Sequence, residues 1–375
     1  MTHFAQGGFR RRALLKAGGL GLAGIFAAPA LAACGSSKGS TRLTDTKVDG
    51  DIGGTLNLLT WEGYADPSFV SEFESRTGVK VNASYVGSND EMITKLRSAK
   101  GTYDLASPSC DSTGALIDAG LVRPIDQNRV PQLGNAFPKF RTAENVVIDG
   151  LTYGTPMMFG FIALLVNADV LKDPAPNWSL LWDEKYAKRS TVWNDISSIW
   201  NTSFHLGQEN VFSLSEAELA AVKTELLAQR PLLKKYWSSA GELTELFTNR
   251  EVDVASCWGG FHAAQLKARG LNVQEILPQE GFTGYWDTWM IPATSTNPAT
   301  AMAWMDYVLE ADVQKKIADV TGYGVTSQAA ISNMSKEYVE GYRLEDPSFF
   351  DRASWWERVP NRQAYLDVLN EVQGA

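Results

Sequence analysis

Residues 55–85 read TLNLLTWEGYADPSFVSEFESRTGVKVNASY, which has the pattern of a strand, a helix and a second strand. The apolar run at its start predicts a short buried strand. Asp66 before Pro67 is typical of a helix N-cap followed by proline at the first helical position. Gly78 is placed to end that helix. Apolar and polar residues then alternate over 79–85, which is the spacing of a second strand.

A second helix and a third strand follow in the same order. Ser88 and Asn89 are placed to cap a helix that Gly101 ends, and residues 103–106 form the next short apolar run. The succession strand-helix-strand-helix-strand is typical of an open, mainly parallel α/β sheet. The continuous apolar run at 161–166 predicts a further buried strand, so we expect the α/β pattern to continue.

Three segments follow the predicted strands directly, at the end where parallel sheets bind their ligands. They are residues 61–64, 85–89 and 107–111. Because the carboxyl ends of parallel strands meet at one edge of a sheet, these segments are expected to form one rim. The sequence therefore predicts a ligand site at that edge.

Length and charge limit the classes of function. A chain of 375 residues is too long for one ordinary core and suits two lobes. The formal net charge of −9 argues against nucleic acid, which requires a basic patch. An acidic surface weakly favours a cationic ligand through long-range attraction, but keeping the protein soluble is the better explanation of the charge.

The N-terminus has the pattern of an export signal. Residues 10–12 are three arginines, and the uncharged segment 17–33 is too short and too rich in glycine for a membrane span, which predicts a signal peptide over 1–34. The run after Arg11 resembles a twin-arginine signal, with the general secretory route as the alternative. Leu31-Ala32-Ala33-Cys34 resembles a lipobox, which predicts that Cys34 is lipidated. Residues 35–53 would then form a flexible tether. Together these features predict a periplasmic or extracellular lipoprotein that is anchored to the membrane.

Motifs of catalysis are absent from the sequence. Its three histidines are far apart, and no metal-ligand spacing, phosphate loop, dinucleotide fingerprint or nucleophile elbow occurs. We therefore expect no enzymatic activity, no metal and no cofactor. Cys110 and Cys257 can form a disulfide in an exported protein or remain as free thiols, and their positions leave both alternatives open.

Several short motifs occur in the order found in bacterial spermidine/putrescine-binding proteins. Among them are LTWEGY at 59–64, SPS at 107–109, YGTP at 153–156, YWD at 285–287 and GY at 322–323. Over roughly residues 54–330 the chain resembles this family of extracellular solute-binding proteins.

The resemblance implies an α/β fold of two lobes with the ligand in the cleft between them. It implies a monomer that delivers its ligand to the permease of an ABC transporter. The chain would cross between lobes more than once, with lobe 1 at 54–162 plus 288–331 and lobe 2 at 163–287 plus 332–375.

A polyamine joins ammonium groups by methylene chains, so aromatic walls and a few carboxylates suit it. The resemblance implies Trp61, Tyr64, Trp258 and Tyr285 as walls, Asp287 and Tyr323 as polar ends, Ser109 as a hydrogen-bond partner and Asp195 as an acid of lobe 2. These residues also have structural interpretations: the aromatic residues can be core, Asp287 can form a structural cap or pair, and Asp195 can be a helix N-cap.

Departures from the family's pattern leave the ligand open. Ser198 stands where the family carries a second acid in lobe 2, and Asp111 replaces an aromatic residue. We expect a polyamine or related cationic amine, with a shorter or singly charged amine as one consequence of the missing acid, and Asp111 as a candidate replacement for it. The alternatives are the same fold binding an amino-acid-like compound, a carboxylate or a sugar, and a surface sensor without a role in transport.

Overall fold

The computed structural model describes residues 42–98, 100–342, 344–345, 348, 350 and 353–375. The predicted signal peptide, Cys34 and the tether up to residue 41 lie outside the described residues. Within the described ranges, no helix combines the length and the apolar character that crossing a membrane requires.

The strands are numbered in chain order. They are β1 Thr55–Thr60, β2 Lys80–Tyr85, β3 Leu105–Ala106, β4 Val122–Arg123, β5 Val147–Ile148, β6 Leu151–Thr152, β7 Gly154–Asn167, β8 Ser190–Trp193, β9 Leu233–Trp237, β10 Val254–Trp258, β11 Val273–Ile276, β12 Thr283–Pro292, β13 Gly324–Val325 and β14 Ser354–Trp355.

The α-helices cover the connections between strands and the C-terminus. They are α1 Pro67–Thr77, α2 Asn89–Ser98, α3 Cys110–Asp118, α4 Pro138–Arg141, α5 Ser197–His205, α6 Glu216–Gln229, α7 Ala240–Thr248, α8 Phe261–Ala268, α9 Pro298–Tyr307, α10 Ala311–Thr321, α11 Lys336–Gly341 and α12 Arg362–Gly374. Short 3-10 helices cover Gln127–Arg129, Pro131–Asn135, Trp178–Leu181, Glu184–Tyr186, Arg230–Leu232 and Gln328–Asn333.

The main sheet has the strand order β2-β1-β3-β12-β7-β10-β8-β9. Its two ends are parallel, since β1 pairs with β2 and β3, and β8 pairs with β9 and β10, in the same direction. Its centre is antiparallel, because β7 pairs with both β12 and β10 in the opposite direction. The expectation of a mainly parallel sheet is therefore correct for the outer strands and wrong for the central ones.

Strand β7 joins two half-sheets. Its residues up to Phe161 pair with β12, and its residues from Ile162 onward pair with β10. We call the strands β2, β1, β3 and β12 the first half-sheet, and β10, β8 and β9 the second half-sheet. This is the architecture of a two-lobe binding fold; the residue boundaries of the lobes remain a prediction.

Local sequence signals place the first helix as predicted. The Asp66 side chain accepts a hydrogen bond from the Ser68 amide, Pro67 is the first helical residue, and Gly78 ends the helix with φ of 70°. Phe69 and Phe73 lie on the buried face of α1. The N-cap starts α1 seven residues after β1 ends, so Trp61 lies in the short connection at the carboxyl end of β1, at the edge that carries the site.

Cys110 and Cys257 are both buried and free. Burial raises the pKa of each thiol well above its ordinary value, because a thiolate would lose its hydration there. Of the two alternatives that the sequence left open, the described structure has the free thiols.

Candidate ligand-binding site

A narrow cavity of about 10 Å³, space for about one water molecule, lies where the two half-sheets meet. None of its lining residues is more than 5% exposed. The lining consists of six aromatic residues, one serine and one aspartate: Trp61, Ser109, Trp193, Trp258, Tyr285, Asp287, Tyr323 and Trp356. Six of the nine predicted ligand-binding residues are in this set.

The strands place these side chains at one edge. Trp61 directly follows β1, and Trp258 is the last residue of β10 in the other half-sheet. Tyr285 and Asp287 lie two apart on β12, so in an extended strand their side chains point to the same face. Gly160 lies opposite Tyr285, where an added Cβ would come within 2.7 Å of the Tyr285 hydroxyl oxygen. The glycine thus leaves the space that the Tyr285 ring occupies.

The aromatic rings contact one another mostly edge to face. Trp258 packs against Trp61 with centroids 5.6 Å apart and against Trp193 with centroids 5.2 Å apart, both in T-shaped geometry. Tyr285 contacts Tyr323 at 5.9 Å and Trp356 at 5.1 Å. In an edge-to-face pair the edge of one ring lies on the face of the other, and Trp193 also stacks against Trp356 with centroids 6.3 Å apart. Aromatic faces carry the partial negative charge that attracts cations.

Asp287 is the one carboxylate of the lining. Its Oδ1 accepts a hydrogen bond from the Ser109 hydroxyl at 2.6 Å, and its Oδ2 accepts one from the Tyr64 hydroxyl at 2.5 Å. Burial raises the pKa of Asp287 to about 7, against the opposing effect of these two bonds. No cation pairs with it among the described residues, so a cationic group in the cavity would supply the missing counter-charge.

Tyr64 does not line the cavity. It is fully buried, holds Asp287 through its hydroxyl and contacts Tyr323 in T-shaped geometry at 6.1 Å. Burial and then the neighbouring Asp287 raise the pKa of Tyr64 well above the ordinary tyrosine value. The hydroxyl therefore stays protonated and donates a hydrogen bond to the Asp287 carboxylate. Tyr64, predicted as a wall, is placed here to orient Asp287.

Asp111 is buried beside the cavity, outside its lining. Its Oδ2 forms an ion pair with Arg362 at 2.8 Å, and its Oδ1 accepts a hydrogen bond from Asn89 at 3.1 Å. Arg362 also pairs with Asp90 at 3.0 Å. Burial raises the pKa of Asp111 while Arg362 lowers it. Asp111, the candidate replacement for the acid that the family carries, is therefore already paired with Arg362 of this chain.

Asp195 also lies outside the lining. Its Oδ1 accepts a hydrogen bond at 2.9 Å from the amide of Ser197, the first residue of α5. The N-cap residue of α5 is Ile196, so Asp195 lies one position before the cap that its structural interpretation assigned to it. Burial raises the pKa of Asp195 to about 7, although the Ser197 amide and Arg362 both act to lower it. Its role as a ligand-binding acid stays a prediction.

Two lining residues were missed by sequence reasoning. Trp193 ends β8, two positions before Asp195, and Trp356 directly follows β14. Because Trp193 is close in sequence to the predicted site residue Asp195, the sequence could have indicated it as a lining residue. Trp356 lies beyond the roughly 54–330 stretch covered by the resemblance, and no local motif marks it.

Two hydrogen bonds join the half-sheets at the rim of the cavity. The Trp193 indole donates to the carbonyl of Gly87, after β2, at 3.1 Å. The amide of Gly241, near the start of α7, donates to the Glu62 carboxylate, after β1, at 3.0 Å. Both contacts require the two sides to lie close together, so the structure has the closed form of the cleft.

Comparison with known proteins points to the class of extracellular solute-binding proteins, which the sequence motifs also resemble. The model of a family described as bacterial extracellular solute-binding protein matches residues 68–341. A spermidine/putrescine-binding periplasmic protein from Salmonella typhimurium is 25% identical over 318 residues, which is 84% of this chain and 89% of that protein. It is named as a binding protein and not as an enzyme.

Solved structures share the fold. A putative spermidine/putrescine ABC transporter protein from Listeria monocytogenes superposes with a TM-score of 0.77 at 22% identity, over 85% of this chain and 98% of that chain. The binding protein MotA from A. tumefaciens B6, solved with glucopine, gives a TM-score of 0.71 at 16% identity over 85% and 99% of the two chains. The same fold therefore accommodates different solutes.

Proposed function

The chain belongs to the bacterial extracellular solute-binding protein family, and we propose that it captures a cationic amine of the putrescine and spermidine class between its lobes for an ABC-type importer. One observation carries the proposal: six aromatic residues surround a buried carboxylate, Asp287, that has no cationic partner among the described residues. The names of the curated relatives support the same ligand class.

The chemistry of the cavity suits an ammonium group. An ammonium over an aromatic face gains about 0.5–2 kcal/mol, and the same rings cover methylene groups. A charge-assisted hydrogen bond to Asp287 fixes the nitrogen. Ser109 and Tyr64 already hold both oxygens of Asp287, so the carboxylate is oriented before the ligand arrives.

Closure of the cleft is coupled to the charge of the ligand. Without a cation, closing the lobes buries the ionised Asp287 unpaired, which is costly, so the open form is favoured. A bound ammonium removes this cost and favours the closed form. A transporter that recognises the closed form then receives only loaded protein.

Thermal unfolding of the purified full chain with and without candidate solutes tests the proposal. A ligand that binds only the folded state stabilises it by about 2.7 kcal/mol when present at 100 times its dissociation constant. We expect putrescine or spermidine to raise the melting temperature, and amino acids, sugars and carboxylates to leave it unchanged. A shift with one of those solutes and none with any amine would retain the binding protein and reject the amine.

We also propose that Cys34 is lipidated and anchors the mature monomer to the membrane, after export by the twin-arginine route. The support is the lipobox pattern directly after the arginine-led signal sequence. Fractionation of producing cells tests it: the wild type is expected with the membranes and a Cys34→Ala variant is not. A wild type found only in the soluble fraction would reject the anchor.

A further inference from the structure

The cavity supplies counter-charge for one ammonium. Asp287 is the single carboxylate of its lining, whereas putrescine has two ammonium groups and spermidine has a third nitrogen. A second ammonium buried without a carboxylate would lose its hydration without compensation. The lining therefore favours a ligand with a single positive charge.

The carboxylates next to the cavity already have a cationic partner within the chain. Arg362, at the start of α12, pairs with Asp90 and Asp111 at 3.0 and 2.8 Å. Its charge also acts to lower the pKa of Asp195. An ammonium placed at this end of the site would meet the guanidinium of Arg362 as a like charge. The chain thus carries its own cation where a longer polyamine would place a second one.

The tryptophans of the lining differ in their hydrogen bonds. The indole N–H groups of Trp61 and Trp193 donate to the carbonyls of Ser107 and Gly87 at 2.7 and 3.1 Å. The indole N–H groups of Trp258 and Trp356 are buried and have no acceptor among the described residues. An indole nitrogen only donates, and a protonated amine has no lone pair to accept with. A polyamine would therefore leave both donors unpaired.

We propose that the ligand carries one cationic nitrogen, held against Asp287, and at its other end an uncharged oxygen that accepts hydrogen bonds, as in a linear amino alcohol. The inference rests on the proposed capture of a cationic amine and narrows it. A carboxylate is a poorer fit for the oxygen end, because the lining holds no cation and already holds Asp287.

Calorimetric titration of the purified full chain with four matched compounds tests the inference. They are 4-aminobutan-1-ol, putrescine, butylamine and 4-aminobutyrate, which share a four-carbon chain and one amine and differ at the other end. We expect the amino alcohol to bind about tenfold tighter than each of the others, since only it pairs a buried donor without adding a charge.

The outcomes separate this inference from the function on which it rests. Putrescine binding as tightly as the amino alcohol would overturn the single-charge inference and leave amine capture intact. If butylamine binds as tightly as the amino alcohol, the oxygen has no role in binding and that part of the inference is wrong. If 4-aminobutyrate binds more tightly than the amino alcohol, the inference that the oxygen end of the ligand is uncharged is wrong. No binding by any of the four, nor by spermidine, would reject amine capture itself.

Discussion

At Asp287, one buried carboxylate provides the charge on which amine binding depends. Asp287→Asn keeps the size and an acceptor oxygen but removes that charge. We expect amine affinity to fall by about 10-fold to 100-fold, because a hydrogen bond to a charged group contributes about 1.5–3 kcal/mol. Calorimetric titration with the tightest-binding amine measures the change.

The matched control for that variant is Asp173→Asn, the same substitution at an exposed position. It lowers the net negative charge by the same amount, so any general effect of charge on the attraction of cations appears in both variants. We expect it to bind amines like the wild type. Equal losses in the two variants would assign the effect to the overall field and not to the cavity.

The raised pKa of Asp287 makes stability depend on pH. An unfolded aspartate has a pKa of about 3.9, and burial raises that of Asp287 to about 7. Between these values the closed form holds a proton that a solvent-exposed aspartate, in the open form or in the unfolded chain, has released, so the protonated carboxyl favours the ligand-free closed form at low pH. That contribution is lost as the pH rises through about 7.

Small-angle X-ray scattering of the ligand-free wild type and Asp287→Asn, measured from about pH 5 to about pH 8, checks this linkage. We expect the wild type to shift toward the open form relative to the variant as the pH rises. Asp195 has a similarly raised pKa, but it is present in both proteins and cancels in the difference. Parallel curves would show that Asp287 does not titrate in this range.

Among the elements, those with local signals were predictable from the sequence. Strand β1 spans the predicted residues, and α1 begins and ends at its predicted caps because Asp66, Pro67 and Gly78 each act within one turn of chain. The sequence over 213–233 predicts one helix, and α6 is shorter at both ends, Glu216–Gln229. Ser215 forms a capping box with Glu218, so α6 begins at Glu216.

Contacts between distant segments were not predictable in the same way. The antiparallel pairing of β7 with β12 joins residues more than a hundred positions apart, and no local pattern encodes its direction. The aromatic motifs identified Trp61 and Trp258 because each motif is local. The ion pair between Asp111 and Arg362 was not predictable, because it depends on where α12 packs. The resemblance ended before that helix.

The N-terminus of α7 forms one contact of the closed cleft. Glu62 accepts a hydrogen bond from the Gly241 amide there, and a carboxylate at a helix N-terminus contributes about 0.3–1 kcal/mol. Glu62→Ala should therefore destabilise the closed form and weaken ligand binding about twofold to fivefold, without lowering the melting temperature of the ligand-free protein.

The comparison for Glu62→Ala is Glu216→Ala. Glu216 is an exposed acid in the first turn of α6 and has the same relation to a helix N-terminus. Among the described residues, Glu216 has no hydrogen bond or ion pair with the first half-sheet, so its removal should alter stability slightly and ligand affinity not at all. Weaker binding in both variants would mean that helix stability, and not closure, sets the affinity.

For the whole molecule, binding requires the two half-sheets to approach until residues of both enclose the ligand. Gly87, after β2, and Ser238, after β9, lie close together across the cleft: a Cβ on Gly87 would lie 2.0 Å from the Ser238 carbonyl oxygen. No real Cβ tolerates that distance to a backbone atom. An alanine at position 87 thus opposes closure while leaving each half-sheet intact.

Gly87→Ala is therefore expected to weaken amine binding by about tenfold or more, because a ligand pays for any reduction in the population of the closed form. The ligand-free melting temperature should stay near that of the wild type. Gly134→Ala is the control, since an added Cβ there meets nothing within 4 Å. Unchanged affinity in Gly87→Ala would mean that the ligand is held without full closure, and that the cavity walls of one half-sheet suffice for capture.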